Sequence, residues 1–218
     1  MEIRYLGAET STIVADQSVN KSGQDVMTTG ISRAAAKERT REMLLDTGFA
    51  LAETTGLDSL SVNAITGAAG VAKGTFFHHF GDRTAYLVQL HRRFHDRILT
   101  DVQQAVAGLP SGRDRLAAIS TTYLDACLNQ RGVRALILEA RALVPIQDEI
   151  ARRNEATVTL LTTDFIALGW PAPAVAARLW IGATVECALF ELGLGHADRQ
   201  ARAALVDFAT APQSGAPH

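Results

Sequence analysis

Lys73, Thr75 and His78 bring an ammonium, a hydroxyl and an imidazole close together, at spacings that let one short helix present them outward. Ala72 and Gly74 between them are small, so a helix bearing these residues could lie close against a flat, polar partner. A lysine on such a face can donate to the acceptor atoms of guanine in the major groove of DNA. Phe76 and Phe80, one turn apart, form the opposite, apolar side. The element before it must approach closely, and Ile65, Ala68 and Ala69 put apolar or small side chains on one helical face. Gly70 stops that element where a left-handed turn residue is least costly. Val71 plugs the turn, and Ser61 caps the start. Two short helices around a glycine turn make a helix-turn-helix unit over 61–80. An ordinary helical hairpin would not need the turn glycine, the small crossing residues and the Lys-Gly-Thr start to coincide.

The elements that hold this unit are legible on both sides. Ser32 to Thr55 predicts a helix with Leu44, Leu45, Phe49 and Ala52 on its inner face, closed by Gly56. Residues 1–29 are rich in Ser, Thr, Gly and Asp without a sustained period and read as a flexible leader. Met27, just ahead of the patterned region, is a candidate start. Arg83 to Ala107 predicts a long helix leaving the unit, broken at Gly108, Pro110 and Gly112. His91 and His95 on it stand one turn apart, a spacing open to metal. With no third ligand nearby, a charged, solvated face is the expectation there. No cofactor or metal site is expected anywhere in the chain.

Beyond the break the pattern is helical throughout. Leu116, Ile119, Tyr123 and Leu128 mark one helix, and Val133, Leu136, Ile137 and Ala140 the next. Pro145 opens another, with Asp148 and Glu149 in its first turn, where carboxylates suit the positive end of the dipole. Ala174 to Leu192 is apolar around most of its circumference and must be covered on two sides. One cover is its own bundle. The other is expected to be a second subunit, with Val175, Leu179, Ala183 and Phe190, and Leu205 of a final helix over Asp198 to Thr210, at the interface. No strand period, internal repeat or nucleotide loop is present, so the fold class is all-α.

Composition bounds the partners. The chain has 218 residues, 47% of them hydrophobic, enough for a substantial core in one or two domains. Its net charge of −2 gives no global basic field. Between Ile31 and Arg83, the cations Arg33, Lys37, Arg39, Arg41, Lys73 and Arg83 are matched in number by Glu38, Glu42, Asp46, Glu53, Asp58 and Asp82. Attraction to DNA there must rest on placed donors and helix N-termini. Cys127 and Cys187 have no metal spacing, which suits a reduced, cytoplasmic chain. The longest apolar run, Leu179 to Leu194, is interrupted by Glu186 and Glu191, so no membrane span is expected.

Phe49 to Leu87, FALAETTGLDSLSVNAITGAAGVAKGTFFHHFGDRTAYL, resembles the N-terminal domain of the tetracycline-repressor (TetR) family of bacterial transcriptional regulators. The resemblance rests on a helix ending in Gly56, the Ser61 cap, Ala69-Gly70-Val71, Lys73-Gly74-Thr75, and His78-His79-Phe80 followed by Arg83. It implies a DNA-binding domain at 30–82, a ligand-binding and dimerisation bundle at 83–212, and a tail at 213–218. Ser61 and Thr75, with Arg83, would then position phosphates, while Lys73, Gly74 and His78 face bases and Asn63 adds a groove contact. Phe77 stands where the family usually has a tyrosine whose hydroxyl bonds a phosphate, and Arg83 where a lysine is usual. Thr66 takes a close-approach position normally held by alanine, followed by Gly67.

The function so implied is a ligand-responsive repressor without enzymatic activity, binding a near-palindromic double-stranded operator as a homodimer. Its small-molecule effector is unknown. Candidate pocket residues are polar or aromatic groups within apolar helices: Tyr123, Glu139, Arg141, Trp180 and Glu186. The alternative is a helical small-molecule-binding protein with weakened or lost DNA binding, suggested by Phe77 and the neutral head. An enzyme of the helical-bundle type finds no nucleophile, metal or phosphate-loop constellation to support it.

Overall fold

The computed structural model describes residues 19–210, all of whose regular elements are helical; residues 1–18 of the expected leader and the expected tail lie outside them. The helices are α1 (Val19–Ala52), α2 (Val62–Ala69), α3 (Lys73–Phe80), α4 (Arg83–Ala105), α5 (Arg113–Asn129), α6 (Arg131–Glu139), α7 (Val144–Ala167), α8 (Pro173–Leu194) and α9 (Arg199–Thr210). A 3-10 turn, Ala140–Ala142, joins α6 to α7. The α1 helix starts at Val19, inside the segment read as a leader. A formed helix lengthens by one hydrogen bond per residue, so it can run upstream without any apolar period. The boundary between two compact units falls within α1, after Glu42. In the first unit Arg33, Lys37 and Arg39 are exposed and Arg41 pairs with Glu38 at 3.2 Å.

The second unit begins with the inner face of α1. Leu44, Leu45 and Phe49 pack with Leu60, Ile65 of α2, Phe76 and Phe80 of α3, and Tyr86 of α4. Tyr86 organises this core: its ring meets Phe76 at 5.0 Å and Phe80 edge-on at 4.9 Å, and its hydroxyl donates to the Leu44 carbonyl at 2.8 Å. That close seat requires Gly48, because a Cβ there would lie 1.9 Å from the Tyr86 hydroxyl oxygen.

The bundle is tied by three buried carboxylates, each held by arginine. Glu149 of α7 takes Arg92 at 2.9 Å and Arg153 at 3.0 Å, and Arg152 as well. Burial would raise this carboxyl, but those guanidiniums hold it below its ordinary range. Glu149 was expected in the first turn of this helix; α7 starts at Val144 with no acid in that turn, and Glu149 is 3% exposed because Arg92 of α4 gives it a partner across the bundle. Asp164 accepts from Arg115 at 2.5 Å and from the Gly112 N–H at 2.9 Å, which anchors the start of α5. Glu191 of α8 receives a two-pronged bond from Arg202 of α9, Nε at 2.7 Å and Nη2 at 2.8 Å. The indole N–H groups of Trp170 and Trp180 donate to the Ala209 and Leu205 carbonyls and complete the seating of α9.

Candidate nucleic-acid interface and ligand cavity

Ser61 caps α2 by accepting from the Ala64 N–H at 3.2 Å, and Gly70 ends it in the left-handed region at φ 67°. The Val71 N–H then reaches back to the Thr66 carbonyl at 3.0 Å, which fixes the turn. Thr66 is buried, and its hydroxyl is satisfied by the Val62 carbonyl at 2.8 Å, so the alanine position accepts a threonine without an orphaned polar group. Phe76 and Phe80 face inward, which turns the opposite side of α3 outward. Lys73, Gly74, Phe77 and His78 are exposed there, Thr75 is half-buried, and Asn63 is exposed on α2. Lys73 and His78 are therefore open to solvent on the side of α3 away from its buried phenylalanines. Phe77 is 48% exposed, with only an edge contact to Phe76 at 5.7 Å.

Arg83 has a different local partner from the phosphate expected of it. Its Nε donates to the Leu60 carbonyl at 2.9 Å and its Nη2 to the Leu57 carbonyl, so it fastens the loop between α1 and α2 to α4. The Leu57 N–H donates in turn to Glu139 Oε2 at 2.8 Å. A second link lies at the other end of α6: Gly132 approaches the Ala52 carbonyl so closely that a Cβ would fall 2.0 Å from it. Glu139 is thus a clasp on this loop and lies outside the cavity described next. An acid at the end of an amphipathic helix gave no sign of that distant backbone partner.

A cavity of about 320 Å³ opens among α4, α5, α6, α7 and α8. Ile98, Val102, Ile119, Ile150, Leu161, Ile181 and Val185 give it apolar walls, and the candidates Tyr123, Arg141 and Trp180 are among its lining residues. Burial pushes the Tyr123 phenol above its ordinary range, so it remains a neutral hydroxyl. Glu186 does not reach this space. It is exposed on α8 beside Val175, Leu179, Phe190 and Leu194, while the acid buried in that apolar run is Glu191. A helix apolar all round offers no phase by which to choose between the two.

The polar groups that sequence reasoning missed are His91, His95 and Arg134. Both histidines line the cavity, with ring centroids 4.4 Å apart, which overturns the solvated-face expectation. His91 is 1% exposed. The signal was present, since Leu87, His91, Phe94 and Ile98 fall on one helical face. Burial lowers the His91 pKa to about 4, and Arg153 adds to this; burial and the neighbouring His91 hold His95 well below its ordinary value. Among the described residues no group of three or more His, Cys, Asp or Glu is arranged to hold a metal. Cys127 and Cys187 are free and buried, with thiols raised by burial.

Val175, Leu179, Phe190 and Leu194 of α8, with Phe208 of α9, leave an apolar surface open to solvent, and Ala183 is half-buried along it. Leu205 does not belong to that surface. It is 6% exposed, in the core cluster that includes Trp180, whereas Phe208 on the same helix is 53% exposed. No helix among the described residues is long and apolar enough to cross a membrane.

The α2–α3 head is a helix-turn-helix arrangement, and it stands with a helical bundle that holds a cavity. Residues 44–90 match the model of the bacterial regulatory proteins of the tetR family. Over 92 residues the chain is 30% identical to the HTH-type transcriptional repressor KstR2 of Rhodococcus jostii (strain RHA1). That match spans 42% of this chain and 45% of the repressor, so less than half of the curated relative is covered. The fold is similar to a crystal structure of a transcriptional regulator from Rhodococcus sp. Rha1, with a TM-score of 0.67 at 24% identity over 78% of this chain and 93% of that one. It is also similar to a tetR-family transcriptional regulator from Streptomyces coelicolor, with a TM-score of 0.58 at 19% identity over 82% and 92%. RolR, solved in complex with resorcinol, gives a TM-score of 0.59 at 15% identity over 81% and 88%. Residues 44–90 thus carry the head domain of the tetR family, on a fold similar to those of these solved regulators.

Proposed function

We propose that this protein is a ligand-responsive transcriptional repressor in the cytoplasm, binding a near-palindromic operator as a homodimer. The observation that carries the reading is the outward face of α3, where Lys73, Gly74, Thr75 and His78 stand together on a head built around Tyr86. Lys73, Gly74 and His78 meet base edges, with Asn63 beside them. Ser61 and Thr75 meet phosphates, while Arg83 positions the loop behind them. Pairing through α8 and α9 sets two such faces about 34–36 Å apart, one turn of DNA.

Ligand response follows from the way the cavity walls continue into the head. The α4 helix lines the cavity with His91, His95 and Ile98 and begins at Arg83; α6 lines it with Arg134 and ends at Glu139. Both Arg83 and Glu139 hold Leu57. A ligand that prefers one placement of α4 and α6 therefore biases the head by that difference in affinity. The resorcinol complex of RolR, a protein of similar fold, supports a ligand role for the bundle. Footprinting of DNA flanking the chain's own coding region at low salt tests the whole reading. Protection of a two-fold symmetric site is the expected result; a folded dimer that protects nothing would favour the ligand-binding protein without DNA function, toward which Phe77 points.

A further inference from the structure

Arg134 sits on α6 at the wall of the cavity, 4% exposed, and its Nε and Nη2 have no hydrogen-bond partner. A buried guanidinium left in this state is costly, because it has given up water without gaining an acceptor. The bundle holds three fully buried carboxylates, and none serves it. Glu149 is bound by Arg92, Arg152 and Arg153, Asp164 by Arg115, and Glu191 by Arg202. The cavity's other cations are placed differently: Arg115 and Arg153 are engaged by those acids, and Arg141 is exposed. Arg134 is thus a buried positive charge in the wall of a mainly apolar space.

The two orphaned groups also have a geometry. The Nε–H and Nη2–H bonds of a guanidinium point the same way and match the two oxygens of one carboxylate, and since both nitrogens are closed off from solvent here, a carboxylate meets them as the Arg134 side chain turns toward it. His91 Nδ1, likewise buried and without a partner, adds a further polar point, and the Tyr123 hydroxyl another. A volume of about 320 Å³ lies at the lower end of the range of small-molecule sites. We propose that the effector is a small organic carboxylate, its carboxylate held in the Nε/Nη2 fork of Arg134 and its apolar body against Ile98, Ile119, Ile181 and Trp180. This rests on the reading of the cavity as an effector site and adds the chemical class that the site accepts. Arg141, exposed at the cavity, draws the anion in.

The test uses the full chain with octanoate and 3-phenylpropanoate as probes, each paired with its neutral primary amide, and reads affinity by calorimetry. At least one acid is expected to bind about tenfold or more tightly than its amide. Arg134→Met should remove that preference while leaving amide binding unchanged, and Arg134→Lys should restore only part of it. Arg134→Met should also unfold at the same or a higher denaturant concentration, since it removes an unpaired buried charge. Acids that bind no better than their amides, or an acid preference that survives Arg134→Met, would overturn the proposal. Operator release is measured separately on the footprinted site. An Arg134-dependent acid that binds without releasing DNA supports the site and refutes the regulatory reading; release by a neutral compound alone does the reverse.

Discussion

Single side chains in the head decide between contact and support. Phe77 is half-exposed on the same helix as Lys73 and His78, so a hydroxyl added to its ring would leave the core undisturbed and, on the proposed DNA-binding mode, meet a phosphate. Phe77→Tyr is expected to tighten binding to all operators together by about tenfold to a hundredfold, the worth of one hydrogen bond to a charged acceptor. Lys73→Ala should weaken binding and relax sequence preference. Competition assays on matched and mismatched sites separate the two effects, and a change of preference on Phe77→Tyr would contradict a phosphate role at that position. Gly48 illustrates support. Its missing Cβ makes room for the Tyr86 hydroxyl, so Gly48→Ala should destabilise the chain by about 1–3 kcal/mol. Combining it with Tyr86→Phe, which removes the crowded oxygen, should cost less than the sum of the two single changes. Strict additivity in denaturant melts would show that the two residues do not meet.

At the scale of elements, the cavity wall on α4 predicts a response to acid. In the unfolded chain a histidine titrates near 6.5. His91 in place titrates at about 4 and His95 well below its ordinary value, so the folded state resists protons that the unfolded state accepts. Their contribution to stability is therefore whole above about pH 6.5 and is lost as pH falls toward 4, by up to about 1.4 kcal/mol per unit for each ring. Chemical denaturation at pH 7.5 and pH 5 should show the loss, and His91→Phe should flatten it. An equal pH slope in the variant would mean that His91 contributes nothing to it. The same helix shows what could be read beforehand. The turn at Gly70, the inward phenylalanines and the donor face of α3 follow from neighbours in sequence, and they were legible. The clasp of Glu139 on Leu57 and the fork of Arg202 on Glu191 join residues far apart in the chain, and no local period records such pairs. His91 lay between these cases, since its face was readable but the burial of that face depends on α7.

For the whole molecule, the open question is what covers the outer side of α8. Its inner side, with Ala176, Ala177, Trp180, Thr184 and Cys187, is already buried, yet Val175, Leu179, Phe190 and Leu194 remain in solvent. Apolar residues repeated along one helical face, with Phe208 of α9 also exposed, form the kind of patch that marks an interaction surface. A second copy meeting the same face by two-fold symmetry would bury it against itself. Glu186, in the middle of that face, then needs a polar partner across the axis. The consequence reaches the DNA. Two heads tied in one dimer bind their second half-site at an effective concentration in the millimolar range, which raises operator affinity by about 10²–10⁴ over a single head. Leu179→Asp should therefore give a folded monomer by light scattering and reduce operator affinity within that range. It should leave the calorimetric affinity for cavity ligands unaltered, because Leu179 points away from them. A Leu179→Asp protein that stays dimeric at micromolar concentration would place the interface elsewhere, and one that is monomeric but binds the full operator undiminished would show that the heads act singly.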